Sequence, residues 1–105
     1  MLNLMKRGHA QSQPEIRAAD ALRPSRDVLT ARQDGMTVLL DLRREVFLGI
    51  DEVGSTIWQG IERGATRAEI EYELERMYDA PPEVLRSDAR RFVDDLLERR
   101  LVVRA

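Results

Sequence analysis

The chain has 105 residues, 43% hydrophobic and 34% charged, with a net charge of −2, the profile of one globular domain with a single modest core. This mildly acidic balance lacks the basic footprint that general nucleic-acid binding needs, and no apolar run approaches the ~20 residues of a membrane span. There is no cysteine and only one histidine, His9, so disulfides, a thiolate nucleophile and a conventional zinc site are excluded and the body of the chain has no histidine for a catalytic triad.

Residues 1–26 show no sustained period and read as an N-terminal tail or extension, punctuated by Pro14 and Pro24. Within them Ile16, Ala19 and Leu22 share a helical face, which predicts a short helix over Glu15–Leu22. Met1–Ala10, with Leu2, Leu4 and Met5 as its apolar anchors ahead of Lys6 and Arg7, is too short a pattern for a signal peptide; the composition fits a cytoplasmic protein.

The domain is read as 27–105. Val28–Gln33 has strand composition, and Asp34-Gly35 signals a hairpin into a second strand, Thr37–Leu42, in which Val38, Leu40 and Leu42 face one way. Arg43-Arg44 must then turn the chain, although neither is a good turn former. Glu45–Ile50 is the third strand, with Val46, Leu48 and Ile50 on one face. At Asp51 the period of two gives way to one near 3.6. A first helix is predicted over Glu52–Arg63, with Asp51 as N-cap, Val53, Ile57 and Ile61 on its inner face, and Gly64 as stop. Thr66-Arg67-Ala68-Glu69 fits a capping box opening a second helix whose apolar face is Ile70, Leu74, Met77 and Tyr78. Pro81-Pro82 separates it from a third helix carrying Leu85, Ala89, Phe92, Val93, Leu96 and Leu97. Leu101-Val102-Val103 is expected to fold back on the core. The fold class is therefore α+β: a three-stranded antiparallel sheet followed by three helices (βββααα), winged-helix-like.

The chain lacks the parts of an enzyme. It has no Walker loop and no G-x-G-x-x-G cradle, and the carboxylates Asp88, Asp94, Asp95 and Glu98 read most simply as the solvated face of an amphipathic helix. What it offers instead is its third strand, last of a short series and so expected at a sheet edge, where unpaired N–H and C=O groups can receive another chain.

The run Phe47-Leu48-Gly49-Ile50-Asp51-Glu52-Val53-Gly54-Ser55-Thr56-Ile57-Trp58 resembles the strand-to-helix junction of PqqD-like proteins, the RiPP recognition elements. Thr66–Glu69 is similar to the start of their second helix, Tyr78-Asp79-Ala80-Pro81 to the following loop, and Asp88–Leu96 to their third helix. The resemblance spans about Val28–Val103, and its Gly49-Ile50-Asp51 junction looks most like the discrete proteins of lasso-peptide clusters. Two departures are Asp51, where the family often has Asn, and Arg100, where it often has Gly.

What the resemblance implies is a non-catalytic adaptor without cofactor or metal. It would bind the leader segment of a ribosomally made precursor as an added strand, in the groove between third strand and third helix, and present it to a leader protease and a cyclase. The implied peptide-binding residues are Glu45, Val46, Phe47, Leu48 and Gly49 on the strand, and Asp88, Arg91, Phe92, Asp95 and Leu96 on the helix. All but Glu45 also have a plainer reading: Val46, Leu48, Phe92 and Leu96 as core, Phe47 as an ordinary exposed apolar residue, Gly49 as slack before the helix, and Asp88, Arg91 and Asp95 as a solvated flank. A chaperone of pyrroloquinoline quinone synthesis is the alternative within the family. A DNA-binding winged helix using Arg86, Arg90, Arg91, Arg99 and Arg100 is the alternative outside it.

Overall fold

A computed structural model describes residues 15–105; His9 and the N-terminal anchors lie outside the described residues. In chain order the elements are β1 (Leu22–Pro24), β2 (Val28–Gln33), β3 (Met36–Asp41), β4 (Val46–Ile50), α1 (Glu52–Glu62), α2 (Arg67–Met77), α3 (Pro82–Glu98) and β5 (Val102–Arg104). The antiparallel sheet β2-β3-β4 followed by three helices is the predicted α+β architecture, and β4 lies at its edge.

Asp34 and Gly35 both adopt positive φ (54° and 80°), the type I′ pattern that joins two strands of ordinary twist. The hairpin pairs Gln33 with Met36 and runs to Val28 opposite Asp41. β3 then pairs with β4 through Thr37↔Ile50, Leu39↔Leu48 and Asp41↔Val46. This register puts Thr37, Leu39 and Asp41 on the buried face of β3, not the predicted row. Val38 and Leu40 lie on the outer face, and Leu42 is in the turn. Val38, Leu39 and Leu40 are all apolar, so alternation alone does not choose a face; pairing Leu39 with Leu48 does.

α1 and α2 begin where their capping residues dictate. Asp51 accepts from the Gly54 N–H at 2.8 Å. The Thr66 hydroxyl accepts from Glu69 N (3.2 Å) while the Glu69 carboxylate accepts from Thr66 N (2.8 Å), completing the capping box. α1 lays Ile57, Trp58 and Ile61 against Leu39, Ile70, Leu74, Ala89, Leu96 and Leu101 in one core. Trp58 is fully buried and its indole N–H donates to Thr30 Oγ1 at 3.0 Å, fixing α1 to β2. Truncating such a side chain to alanine costs about 3–5 kcal/mol. On α2 the expected apolar face is shorter than read: Ile70 and Leu74 are buried, Tyr78 turns inward to share a hydrogen bond with Thr56 Oγ1, and Met77 is exposed in the last position of the helix.

The predicted helix over Glu15–Leu22 is absent. Arg17 and Asp20 close a turn instead (Asp20 N to Arg17 O, 3.0 Å; Arg17 N to the Asp20 carboxylate, 2.8 Å), and Leu22–Pro24 pairs with Val102–Arg104. Pairing with the far end of the chain overrides weak local helical pattern. Ile16 and Leu22 are buried in the core, so the chain joins the fold ahead of the Asp27 boundary read from the sequence. Leu101 and Val102 fold back and are buried, as expected, whereas Val103 is exposed.

Candidate functional site

The open side of β4 can be worked out residue by residue. A two-residue I′ hairpin closes on a hydrogen-bonded pair, here Gln33 and Met36, and bonded and non-bonded pairs alternate from there. Val38 and Leu40 therefore bond toward β2, while Thr37, Leu39 and Asp41 bond toward β4. Their partners Ile50, Leu48 and Val46 use their N–H and C=O groups on β3. Phe47 and Gly49 present theirs to the free edge.

Side chains follow the same alternation. Phe47 points away from the core and is 70% exposed; Leu48 is half-buried against the core; Val46 is exposed and Ile50 buried. Gly49 is exposed, with open space where a Cβ would stand. None of the five residues of β4 carries a charge or is proline, the devices that usually protect an edge. Glu45, predicted as the first residue of the strand, belongs instead to the turn. Its φ is +58°, left-handed backbone that takes it out of the ladder.

α3 runs past β4 in the opposite sense, and the two are tied at both ends. At one end Phe92 reaches the junction of β4 and α1. A Cβ on Gly54 would overlap Ile50 Cγ2 and come within 3.3 Å of Phe92 Cζ, so only glycine allows this approach. At the other end Arg44 Nη1 donates to the Arg99 carbonyl at 2.9 Å. Between these ties stand half-buried Leu48 on β4 and buried Leu96 on α3, with half-buried Phe92 at the Ile50 end.

Of the other helix residues singled out from the sequence, Asp95 is exposed and pairs with Nε of Arg99, the residue whose carbonyl Arg44 bonds, at 3.1 Å. Asp88 and Arg91 pair with each other at 2.8 Å, one turn before Phe92, on the exposed surface of α3. Neither is bonded to β4. Three of the arginines considered for a recognition helix are held by acids: Arg86 by Glu75, Arg91 by Asp88 and Arg99 by Asp95. Arg100 follows α3 at φ +60°, the left-handed conformation that glycine adopts without strain.

One residue the sequence reading missed is Asp41. It is 4% exposed, and its carboxylate accepts from Arg43 N (3.0 Å), Arg44 N (3.3 Å) and Arg44 Nη1 (2.9 Å). The hydrogen bond from Arg44 holds this carboxyl below its ordinary range, with burial opposing. Asp41 thereby turns the chain at Arg43-Arg44, where no good turn former stands. An Asp just ahead of a required turn was the available signal. On the opposite flank of α3, burial and the neighbouring Glu15 and Glu98 push the Asp94 carboxyl up, with Arg90 opposing. Among the described residues no cluster of metal-ligating side chains occurs and no helix is long and apolar enough to cross a membrane.

The fold and this edge-and-helix site define a PqqD-type domain. Residues 36–102 match the family described as coenzyme PQQ synthesis protein D (PqqD), and the chain belongs to that family. Among solved structures it is similar to TbiB1, determined in complex with the TbiA(β) leader peptide: 31% identity over 76% of this chain and 93% of that one, TM-score 0.72. It also shares its fold with a lasso peptide synthetase B1 complexed with a leader peptide, at 22% identity over 78% of this chain and 96% of that one, TM-score 0.72. No curated protein matches the chain.

Proposed function

We propose that this protein is a leader-peptide-binding adaptor, taking an extended segment of a precursor peptide as a fourth strand beside β4. The observation that carries the reading is the free edge: Phe47 and Gly49 offer unbonded N–H and C=O groups on either side of the half-buried Leu48. Main-chain pairing supplies affinity and the groove between β4 and α3 supplies selectivity. The similarity to TbiB1 with its bound leader supports the same reading. In this role the protein has no catalytic step of its own, and it hands the captured precursor to a leader protease and a cyclase.

The test is a polarisation titration with the fluorescein-labelled leader of the precursor encoded beside this protein. A dissociation constant in the micromolar range or tighter is expected, which corresponds to about 8 kcal/mol or more of net binding free energy. Absence of binding by the folded protein contradicts the reading. The family description also supports a second role, as a peptide chaperone in pyrroloquinoline quinone synthesis. Its signature would be a radical-enzyme gene beside this one in place of a protease and cyclase.

A further inference from the structure

The two ties across the groove differ in kind. The tie at Phe92, Gly54 and Ile50 is apolar and belongs to the core. The one at the other end is a chain of hydrogen bonds: Asp41 Oδ2 to Arg44 Nη1, and the same Nη1 to the Arg99 carbonyl, 2.9 Å each. The Arg99 carbonyl is one of the last-turn acceptors that a helix cannot satisfy from within. Here it is satisfied by a side chain from the turn that leads into β4. The residues that follow each half of this link, Glu45 and Arg100, are both left-handed without being glycine, a conformation that persists only where the surroundings over-determine it.

We propose that Asp41, Arg44 and the Arg99 carbonyl form a clamp that fixes the spacing between β4 and the last turns of α3, making Arg44 a positioning residue for the bound peptide. This inference rests on the leader-binding reading. Arg44 is half exposed and is not part of the apolar core, and its buried partner Asp41 keeps the Arg43 and Arg44 backbone N–H groups as donors when the Arg44 side chain is removed. Its main consequence is therefore local. With the clamp closed, the groove is set before the peptide arrives. Without it, the peptide must order the turn and the helix end as it binds, and affinity falls by that cost.

The experiment compares wild type, R44A, R44K and T30V in the same polarisation titration, with thermal unfolding of each. T30V removes the acceptor of the Trp58 indole N–H, two strands in from the free edge of β4, and reports what general destabilisation does to affinity. R44A is expected to bind about tenfold or more weakly while its Tm stays within a few degrees of wild type. R44K, which offers a point charge without the planar fork, is expected to recover part of the loss. T30V is expected to lower Tm and keep its Kd within twofold of wild type. Arg44→Gln, which keeps the aliphatic stem, takes the place of R44A should the latter fail to fold. An R44A affinity within twofold of wild type overturns the clamp while leaving the leader-binding reading intact. So does a T30V loss of affinity that tracks its loss of Tm as R44A does. No binding by wild type overturns the leader-binding reading and the clamp with it.

Discussion

Asp41 carries more of the β3–β4 turn than any residue within it, because a carboxylate accepting three N–H groups replaces the turn chemistry that Arg43 and Arg44 lack. Its pKa is lowered in the folded state, first by the Arg44 hydrogen bond. A lowered folded pKa gives stability that is complete above the ordinary carboxylate range and is lost as pH falls through the folded value. Wild type is therefore expected to be more stable than D41N at pH 7, and the gap in Tm should close as pH falls below about 4. A gap that stays constant to pH 2.5 would show that the ionised carboxylate contributes nothing. At this scale the sequence was hard to read for a definite reason. The one sign of the bonds to Asp41 was an Asp just ahead of a required turn, and Glu45 and Arg100 have nothing in their chemistry to mark left-handed backbone.

At the scale of elements, β4 and α3 are useful to each other because α1 starts within one residue of the strand's end. Asp51 caps α1 as the chain leaves Ile50, and Gly54 leaves room for Phe92. The alternation of bonds along β4 makes a sharp prediction. Proline at position 47 deletes an N–H that faces the free edge, which an edge strand tolerates, whereas proline at 48 deletes a bond to β3. F47P should fold but lose at least tenfold in peptide affinity, beyond any loss seen in F47A; L48P should be destabilised by several kcal/mol, about the 3 kcal/mol or more of an ill-placed proline. Equal thermal stability of F47P and L48P by circular dichroism would mean that the register is wrong. The strand-to-helix switch at Asp51, the Thr66 capping box and the edge position of β4 were all legible, since each depends on local spacing. The buried face of β3 was not, because Val38, Leu39 and Leu40 offer both faces an apolar row and only the pairing with β4 decides between them.

Across the described residues, the first strand and the last close on each other. β1 pairs with β5, Leu22 and Val102 are buried, and the Ala105 N–H donates to the Ala21 carbonyl at 3.0 Å. That closure holds the exit of α3 and so stands behind the Arg99 end of the groove. Leu22→Ala is expected to lower the unfolding free energy by about 2–4 kcal/mol in a urea titration; a loss below about 0.5 kcal/mol would place this segment outside the cooperative unit. The sequence showed the C-terminal return through Leu101 and Val102 but not its partner, since a three-residue strand ending in Pro24 has too short a pattern to stand out from a tail.

The most direct measurement of the central claim is amide hydrogen exchange by NMR, residue by residue along β4, with and without the leader peptide. In the free protein Leu48 and Ile50, bonded to β3, should exchange slowly and Phe47 and Gly49 quickly. Adding the peptide should slow Phe47 and Gly49 and leave the order of the others unchanged. Binding that protects neither Phe47 nor Gly49, or fast exchange at Leu48 in the free protein, would contradict strand addition at this edge.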